Sequence, residues 1–103
     1  MTIATYSVTT SIGNAYTSSG NTAITSLTLC NFSAGSATAN LYVVPATADA
    51  DTVNIALSNV LITTGDTLQM YVAAEKLLLG PGDTIQIEAN ANAITAVVSY
   101  TSI

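Results

Sequence analysis

One stretch of the chain decides the fold class: residues 77–89, which read LLLGPGDTIQIEA. Proline presets the φ angle at the second position of a tight turn, and glycine accepts the positive φ that a type II turn needs at the third position. Residues 80–83 therefore predict a type II turn. Beyond the turn, apolar side chains alternate with Gln86 and Glu88, which is the pattern of a half-buried β-strand. A strand, a turn and a second strand predict antiparallel β-structure.

The two-residue period continues outward from this hairpin through most of the chain. Turn signals such as Gly65 followed by Asp66, and a strand-ending Pro45, separate the alternating segments. Their spacing predicts a single all-β domain over residues 1–103, a β-sandwich or jelly-roll-like barrel of about eight antiparallel strands. A short helix at residues 72–78 is the alternative for that segment. The predicted strands are residues 22–32, 38–44, 53–57, 67–72, 77–79, 85–89 and 93–101, with Val60 and Ile62 on one face of a further strand.

The segment of residues 22–32 carries apolar groups on both faces, as in a strand inside a sandwich or between subunits. Its alternation puts Ile24, Cys30 and Phe32 on one face and Leu27 and Leu29 on the other. We therefore expect Cys30 to be a buried apolar side chain that does not react with thiol reagents. Because it is the only cysteine of the chain, an internal disulfide is excluded.

The charge balance excludes several partners. One Lys or Arg stands against six Asp or Glu, with a formal net charge of -5, so no basic patch can neutralise a phosphate backbone. Direct nucleic-acid contact and binding to anionic membrane surfaces are not expected. No apolar run reaches the roughly 20 residues that cross a bilayer as a helix. Residues 1–10 lack the basic start and apolar core of a secretory signal, so export by that route is not expected either.

The surface must be covered by something other than charge, because 50% of the residues are hydrophobic and only 7% are charged. Thr, Ser and Asn fill 35 positions, 17 of them Thr. Threonine suits strands, whereas serine and asparagine suit turns and edges. Charged side chains on faces and edges are the usual guard against association. Their scarcity indicates a protein that assembles with others.

The residues that carry most enzyme chemistry are missing from the sequence. Without histidine there is no imidazole base, no histidine zinc ligand and no imidazole-dependent triad. We expect neither an enzyme nor a bound cofactor. Asp49 and Asp51 in the loop of residues 46–51 could hold Ca²⁺, but a full site needs six to eight oxygen ligands, and whether this loop binds a metal ion stays open. For Asp83 we expect a bond back to the turn backbone.

Three side chains are candidates for subunit contacts: Tyr42, Tyr71 and Lys76. Lys76 is the only cation of the chain and follows Glu75 directly, so it is either one half of a solvated surface pair or the partner of an acidic group on a neighbouring subunit. The tyrosines favour core edges and subunit contacts. A sugar-binding platform is the alternative, weakened by the absence of Trp and by the wide spread of the tyrosines along the chain.

Five motifs in order resemble a known group of proteins. They are YTSS at residues 16–19, AITSLTLCN at 23–31, LYVVP at 41–45, EKLLL at 75–79 and GPGDTI at 80–85. In this order the chain is similar to the small β-sandwich structural proteins of tailed bacteriophages. The resemblance covers roughly residues 16–103, and no catalytic or binding residue carries over with it.

The resemblance implies a virion structural protein made in the host cytoplasm. The leading hypothesis is a capsid decoration or cement subunit on the outer capsid surface, which binds the major capsid protein or other virion proteins and stabilises them. We expect a homo-oligomer, with a trimer favoured. Each specific contact needs about 1,000 Å² of buried surface. A tail, collar or baseplate component is the first alternative, and a cell-surface or glycan-binding β-sandwich module is the alternative from another class.

Overall fold

The computed structural model of the protein describes residues 2–70 and 77–103, which form two antiparallel sheets packed face to face. The predicted all-β sandwich is confirmed. Sheet A has the strand order β1-β9-β3-β6, with β7 also paired to β3, and sheet B has the order β2-β8-β4-β5. The described strands are β1 (Thr2–Val8), β2 (Gly13–Thr17), β3 (Thr22–Asn31), β4 (Ala37–Val44), β5 (Ile55–Ile62), β6 (Thr67–Met70), β7 (Leu77–Leu79), β8 (Thr84–Ala89) and β9 (Ile94–Ser102).

The described strands number nine, whereas the sequence predicted about eight. β1 and β2 are not among the predicted strands, which begin at residue 22. The predicted break between residues 57 and 60 is wrong, because β5 continues through it with Asn59 at a positive φ of 51°. Val53 lies in a single 3₁₀ turn, Thr52–Asn54, which the Asp51 side chain caps at its start. The alternative helix lies mostly outside the described residues, and its last two residues belong to β7.

The core lies between the inward faces of the two sheets. β9 and β3 contribute Ile94, Ala96 and Val98 with Leu27 and Leu29, and each of these side chains is fully buried. The predicted alternation of β9 is thereby confirmed. Removing this apolar surface from water is the main favourable term in folding. The partners across the core are Leu41 of β4 with Ile85 and Ile87 of β8.

A β-bulge in β3 overturns the predicted burial of Cys30. The pairing of β3 with β9 shifts register between Ile24 and Ser26, so one extra residue enters the strand at this point. A one-residue shift exchanges the faces. Ile24 therefore shares the core face with Leu27 and Leu29, whereas Cys30 falls on the opposite face and is half-buried. Simple alternation through the whole segment was wrong because it had no place for the bulge.

Asn31, at the end of β3, ties three segments together. Its side chain is fully buried. The side-chain nitrogen donates to the carbonyl oxygens of Gly35 and Ile62, both at 2.8 Å, and the side-chain oxygen accepts from the backbone N–H of Ser33 at 2.9 Å. A buried amide is tolerated only when its hydrogen bonds are made. These hydrogen bonds, which we call the Asn31 cluster, attach the end of β5 and the turn after β3 to sheet A.

The predicted turn at residues 80–83 forms a second hydrogen-bond cluster, which we call the Asp83 cluster. The Asp83 backbone N–H donates to the Gly80 carbonyl at 3.2 Å, and Gly82 has a φ of 85°, as a type II turn requires. The Asp83 carboxylate accepts from the backbone N–H of Gly80 at 2.8 Å, as expected, and also from that of Ala46 at 2.9 Å. The turn is therefore held to the loop that follows β4.

Candidate subunit interface

The outer face of sheet A carries no charged side chain among its described residues. The registers of β1, β9, β3 and β6 arrange these residues in three rows that run across the sheet. All of them are half-buried or exposed, and they carry hydroxyl, methyl, amide or thiol groups. We call this surface the uncharged face. Its rows are Ile3, Ser99 and Ser26; Thr5, Val97, Thr28 and Gln69; and Ser7, Thr95, Cys30 and Thr67.

Strand β1 forms the edge of this face, and the hydrogen-bond pattern between β9 and β3 determines which backbone groups of β1 point outward. The Phe32 N–H donates to the Ala93 carbonyl, which makes these two residues a hydrogen-bonded pair of β3 and β9. In an antiparallel ladder the hydrogen-bonded pairs alternate. Alternate residues of β9, beginning with Ile94, therefore turn their backbone groups to β1, where their partners are Val8, Tyr6, Ala4 and Thr2.

The backbone groups of Ile3, Thr5 and Ser7 consequently point away from β9. None of the strand pairings of the described residues uses this side of β1. Their side chains lie on the uncharged face, and all three residues are exposed. The edge thus presents three N–H and three C=O groups to solvent, which is the arrangement that accepts another strand.

The other sheet edges are irregular. β5 pairs with β4 through two register shifts and has Asn59 at positive φ. β2 has five residues and a register shift of its own. At the far edge of sheet A, the described parts of β6 and β7 span four and three residues. Bulges and short strands prevent edge pairing. By contrast, β1 keeps one register over all seven residues, without Pro, Gly or charge.

The acidic residues of the described segments lie away from β1. Asp49 and Asp51 are in the loop after β4, and Asp83 is in the turn before β8. Glu88 lies on β8, in sheet B, and Asp66 precedes β6 at the opposite edge of sheet A. The negative charge is therefore concentrated on sheet B and its loops, and the side formed by β1 and its neighbours is left neutral.

Tyr42 lies on the outer side of sheet B, where it is only 7% exposed. Its hydroxyl donates to Glu88 Oε1 at 2.8 Å, and the Asn40 side chain donates to the same oxygen at 2.9 Å. The hydrogen bond to Glu88, together with burial and the charge of Glu88, raises the pKa of Tyr42. A subunit contact at Tyr42 stays a prediction, and the isolated subunit exposes little of this side chain to a partner.

The other two predicted contacts, Tyr71 and Lys76, lie outside the described residues. Among the tyrosines that the structure describes, Tyr16 and Tyr100 pack with their ring centroids 4.4 Å apart and their planes tilted by 39°, and both are half-buried against the core. The Tyr6 ring covers Gly13, where an added Cβ would lie 1.8 Å from the Tyr6 hydroxyl oxygen. These three rings fill the sandwich rather than forming a flat exposed platform, so their geometry gives no support to sugar stacking.

The loop of residues 46–51, for which the sequence leaves metal binding open, uses polar groups for local hydrogen bonds. The Asp51 carboxylate accepts from the Thr52 backbone N–H at 2.7 Å, and the Asn54 side chain donates to the Asp49 carbonyl at 2.9 Å. Within residues 2–70 and 77–103, no three His, Cys, Asp or Glu residues cluster in a way that could hold a metal ion. A cleft beside Leu61 and Asp66 has a volume of 140 Å³, below the roughly 300 Å³ of small-molecule sites.

The β1 edge is not among the features predicted from the sequence. The signal was present, because residues 2–8 form an uncharged alternating segment without a turn residue. The sequence does not reveal the strand order, however, and β1 is an edge because β9 is its one partner among the described strands.

The described segments also contain no helix long and apolar enough to cross a membrane. Comparisons with protein families, curated proteins and solved structures find no match to this chain.

Proposed function

We propose that this protein is a virion structural subunit, a capsid decoration or cement protein that binds and stabilises neighbouring capsid proteins through the uncharged face. The observation that supports a role in assembly is the face itself, with three rows of uncharged side chains over four strands. The resemblance of residues 16–19, 23–31, 41–45 and 75–85 to small structural proteins of tailed bacteriophages supports the assignment to a virus particle.

The chemistry of the uncharged face suits burial against another protein. Charged residues are depleted in the centres of protein interfaces because removing charge from water is costly. Thr28 and Val97 at the middle of the face carry methyl groups, whose burial is favourable, and the Thr28 hydroxyl can form a hydrogen bond with a partner. Because the described acidic residues lie outside this face, a neutral surface of another protein can cover it without burying a carboxylate.

A tail, collar or baseplate position would use the same face, and it remains the alternative within this class. The first test is mass spectrometry of purified particles from the source, with heads and tails separated. A decoration protein is expected at high copy number in the head fraction. The proposal is contradicted if particles that infect normally contain none of the chain, and recovery in the tail fraction alone would move the protein to the alternative position.

A rebinding experiment tests whether the uncharged face is the contact. Thr28→Lys places a charge in the central row, and Gln86→Lys places the same charge on β8, in sheet B. We expect Thr28→Lys to weaken binding to stripped particles at least about tenfold, because a lysine buried there has no partner. Gln86→Lys should bind like the wild type. Equal binding by both variants, with both folded, would exclude the uncharged face as the contact.

A further inference from the structure

The β1 edge differs from every other described edge in keeping one unbroken register over a length of seven residues. Native proteins disrupt edges that are not used, and the remaining described edges of this chain carry bulges or short strands. An edge left regular among irregular ones is suited to main-chain pairing with a further strand. The open question is which strand that is.

We propose that a second copy of this chain pairs with β1 in antiparallel orientation, so that the two A sheets become one continuous sheet. This inference rests on the proposed function and names the partner of the edge that borders the uncharged face. The pairing is two-fold symmetric, and the same residues serve both subunits. It gives a dimer rather than the trimer that the sequence analysis favours.

The outward backbone groups fix the register of this pairing. Hydrogen-bonded pairs must join residues whose backbone groups point outward on both strands, which are Ile3, Thr5 and Ser7. The arrangement that uses all three places Thr5 opposite the partner's Thr5 and Ile3 opposite the partner's Ser7. About six main-chain hydrogen bonds form. This register also keeps exposed residues on the outer face and the core-facing residues Ala4 and Tyr6 on the inner face of both subunits.

The placement of the acidic residues lets two copies of the chain approach each other along β1. The net charge of -5 makes two subunits repel wherever their acidic residues face one another. Asp49, Asp51, Asp83 and Glu88 all lie in sheet B or its loops, and Asp66 lies at the far edge of sheet A. Two copies joined at β1 therefore meet along neutral strands. A contact through sheet B would instead bring acidic groups of the two subunits together.

The size of the edge predicts a weak dimer. Seven residues extend for about 24 Å, and the thinnest dimension of the subunit is 19 Å. The contact patch is thus on the order of 450 Å² per subunit, about half of the 800 Å² per partner that a standard stable interface buries. Association should depend on concentration and should strengthen where many subunits are held on one surface.

The test uses opposite charges at the two-fold axis. In Thr5→Lys two ammonium groups would face each other, and in Thr5→Glu two carboxylates would. Sedimentation velocity should show wild-type dimerisation and at least about a tenfold weaker dimer for each variant alone. An equimolar mixture of the two variants should dimerise again. Thr28→Lys, in the same row but two strands from the edge, should dimerise like the wild type.

Several outcomes would overturn the inference. A wild type that stays monomeric at every accessible concentration contradicts it, as does a mixture of Thr5→Lys and Thr5→Glu that does not associate. Particle binding measured in parallel separates the two proposals: Thr28→Lys impairs particle binding if the proposed function holds, whatever happens at Thr5. Circular dichroism shows whether the Thr5 variants are folded.

A cross-link provides a second route that does not depend on charge. In a Cys30→Ser background, Thr5→Cys places two thiols opposite each other, with Cβ atoms about 5 Å apart in the proposed pairing. Mild oxidation should give a covalent dimer at concentrations where the wild type associates. Gln69→Cys in the same background, on the uncharged face at the opposite edge, should stay monomeric. Equal cross-linking at both positions would contradict a contact at β1.

Discussion

At the end of β3, the buried Asn31 side chain makes its hydrogen bonds to backbone and side-chain groups of its own subunit. On β1, two strands away, the backbone groups of Ile3, Thr5 and Ser7 face solvent. Both regions are polar and uncharged, but the first holds the subunit together and the second is free to hold another. Changes in the Asn31 and Asp83 clusters should therefore lower the free energy of unfolding, whereas changes at β1 should weaken assembly alone.

The largest effect is expected for Asn31→Ala. The substitution leaves the buried Ile62 carbonyl without its donor and also removes the side-chain bonds to Gly35 and Ser33, which should lower the free energy of unfolding by about 3 kcal/mol. Urea denaturation measures the difference. Asn21→Ala is the control, because Asn21 is exposed, and it should change stability by less than about 0.5 kcal/mol. Equal stability of the two variants would show that the Asn31 cluster does not stabilise the attachment of β5 and the turn after β3 to sheet A.

Gly82→Val tests the turn of the Asp83 cluster. The residue has a φ of 85°, and an added Cβ would lie 3.0 Å from the Ala46 Cβ, so a β-branched side chain is strained and crowded. We expect a loss of about 1–3 kcal/mol in a thermal melt. Gly20→Val, at a position with open space and without positive φ, should be milder. If Gly82→Val melts like the wild type but no longer binds particles, the turn is itself a contact site.

Tyr42→Phe tests the hydrogen bond on the outer side of sheet B. Loss of the bond to the Glu88 carboxylate should cost about 1.5 kcal/mol at neutral pH. Because folding raises the pKa of Tyr42 above 10.0, its stabilising effect is complete below that pH and is lost as the pH rises through the folded-state pKa. The stability difference between wild type and Tyr42→Phe should therefore shrink above pH 10. A difference that stays constant with pH contradicts this assignment.

The smallest effect on stability is expected for Cys30→Ser. Cys30 is half-buried on the uncharged face, so the change should alter the free energy of unfolding by less than about 0.5 kcal/mol. A thiol reagent should label Cys30 in the folded free subunit and label it several-fold more slowly on particles, where the face is covered. Equal labelling rates in the two states would mean that the row containing Cys30 is not in the contact.

Local chemistry predicted part of the molecule well. The turn at residues 80–83 follows from the φ preferences of Pro81 and Gly82, and the alternation of β9 follows from its buried face. The bulge in β3 could not be predicted, because one extra residue leaves the composition of the strand unchanged while exchanging its faces. The partners of Asn31 and the free edge of β1 depend on contacts distant in sequence. The candidate interface was thus expected only as a surface poor in charge.

The most direct test of the account is amide hydrogen exchange along β1, followed by NMR as a function of protein concentration. The amides of Ala4, Tyr6 and Val8 point to β9 and should be protected at every concentration. Those of Ile3, Thr5 and Ser7 should exchange rapidly in dilute solution and become protected as the protein associates. Rapid exchange of these three amides at concentrations where the protein is associated, or protection of all six in the monomer, would contradict a β1 edge that is kept free for a second subunit.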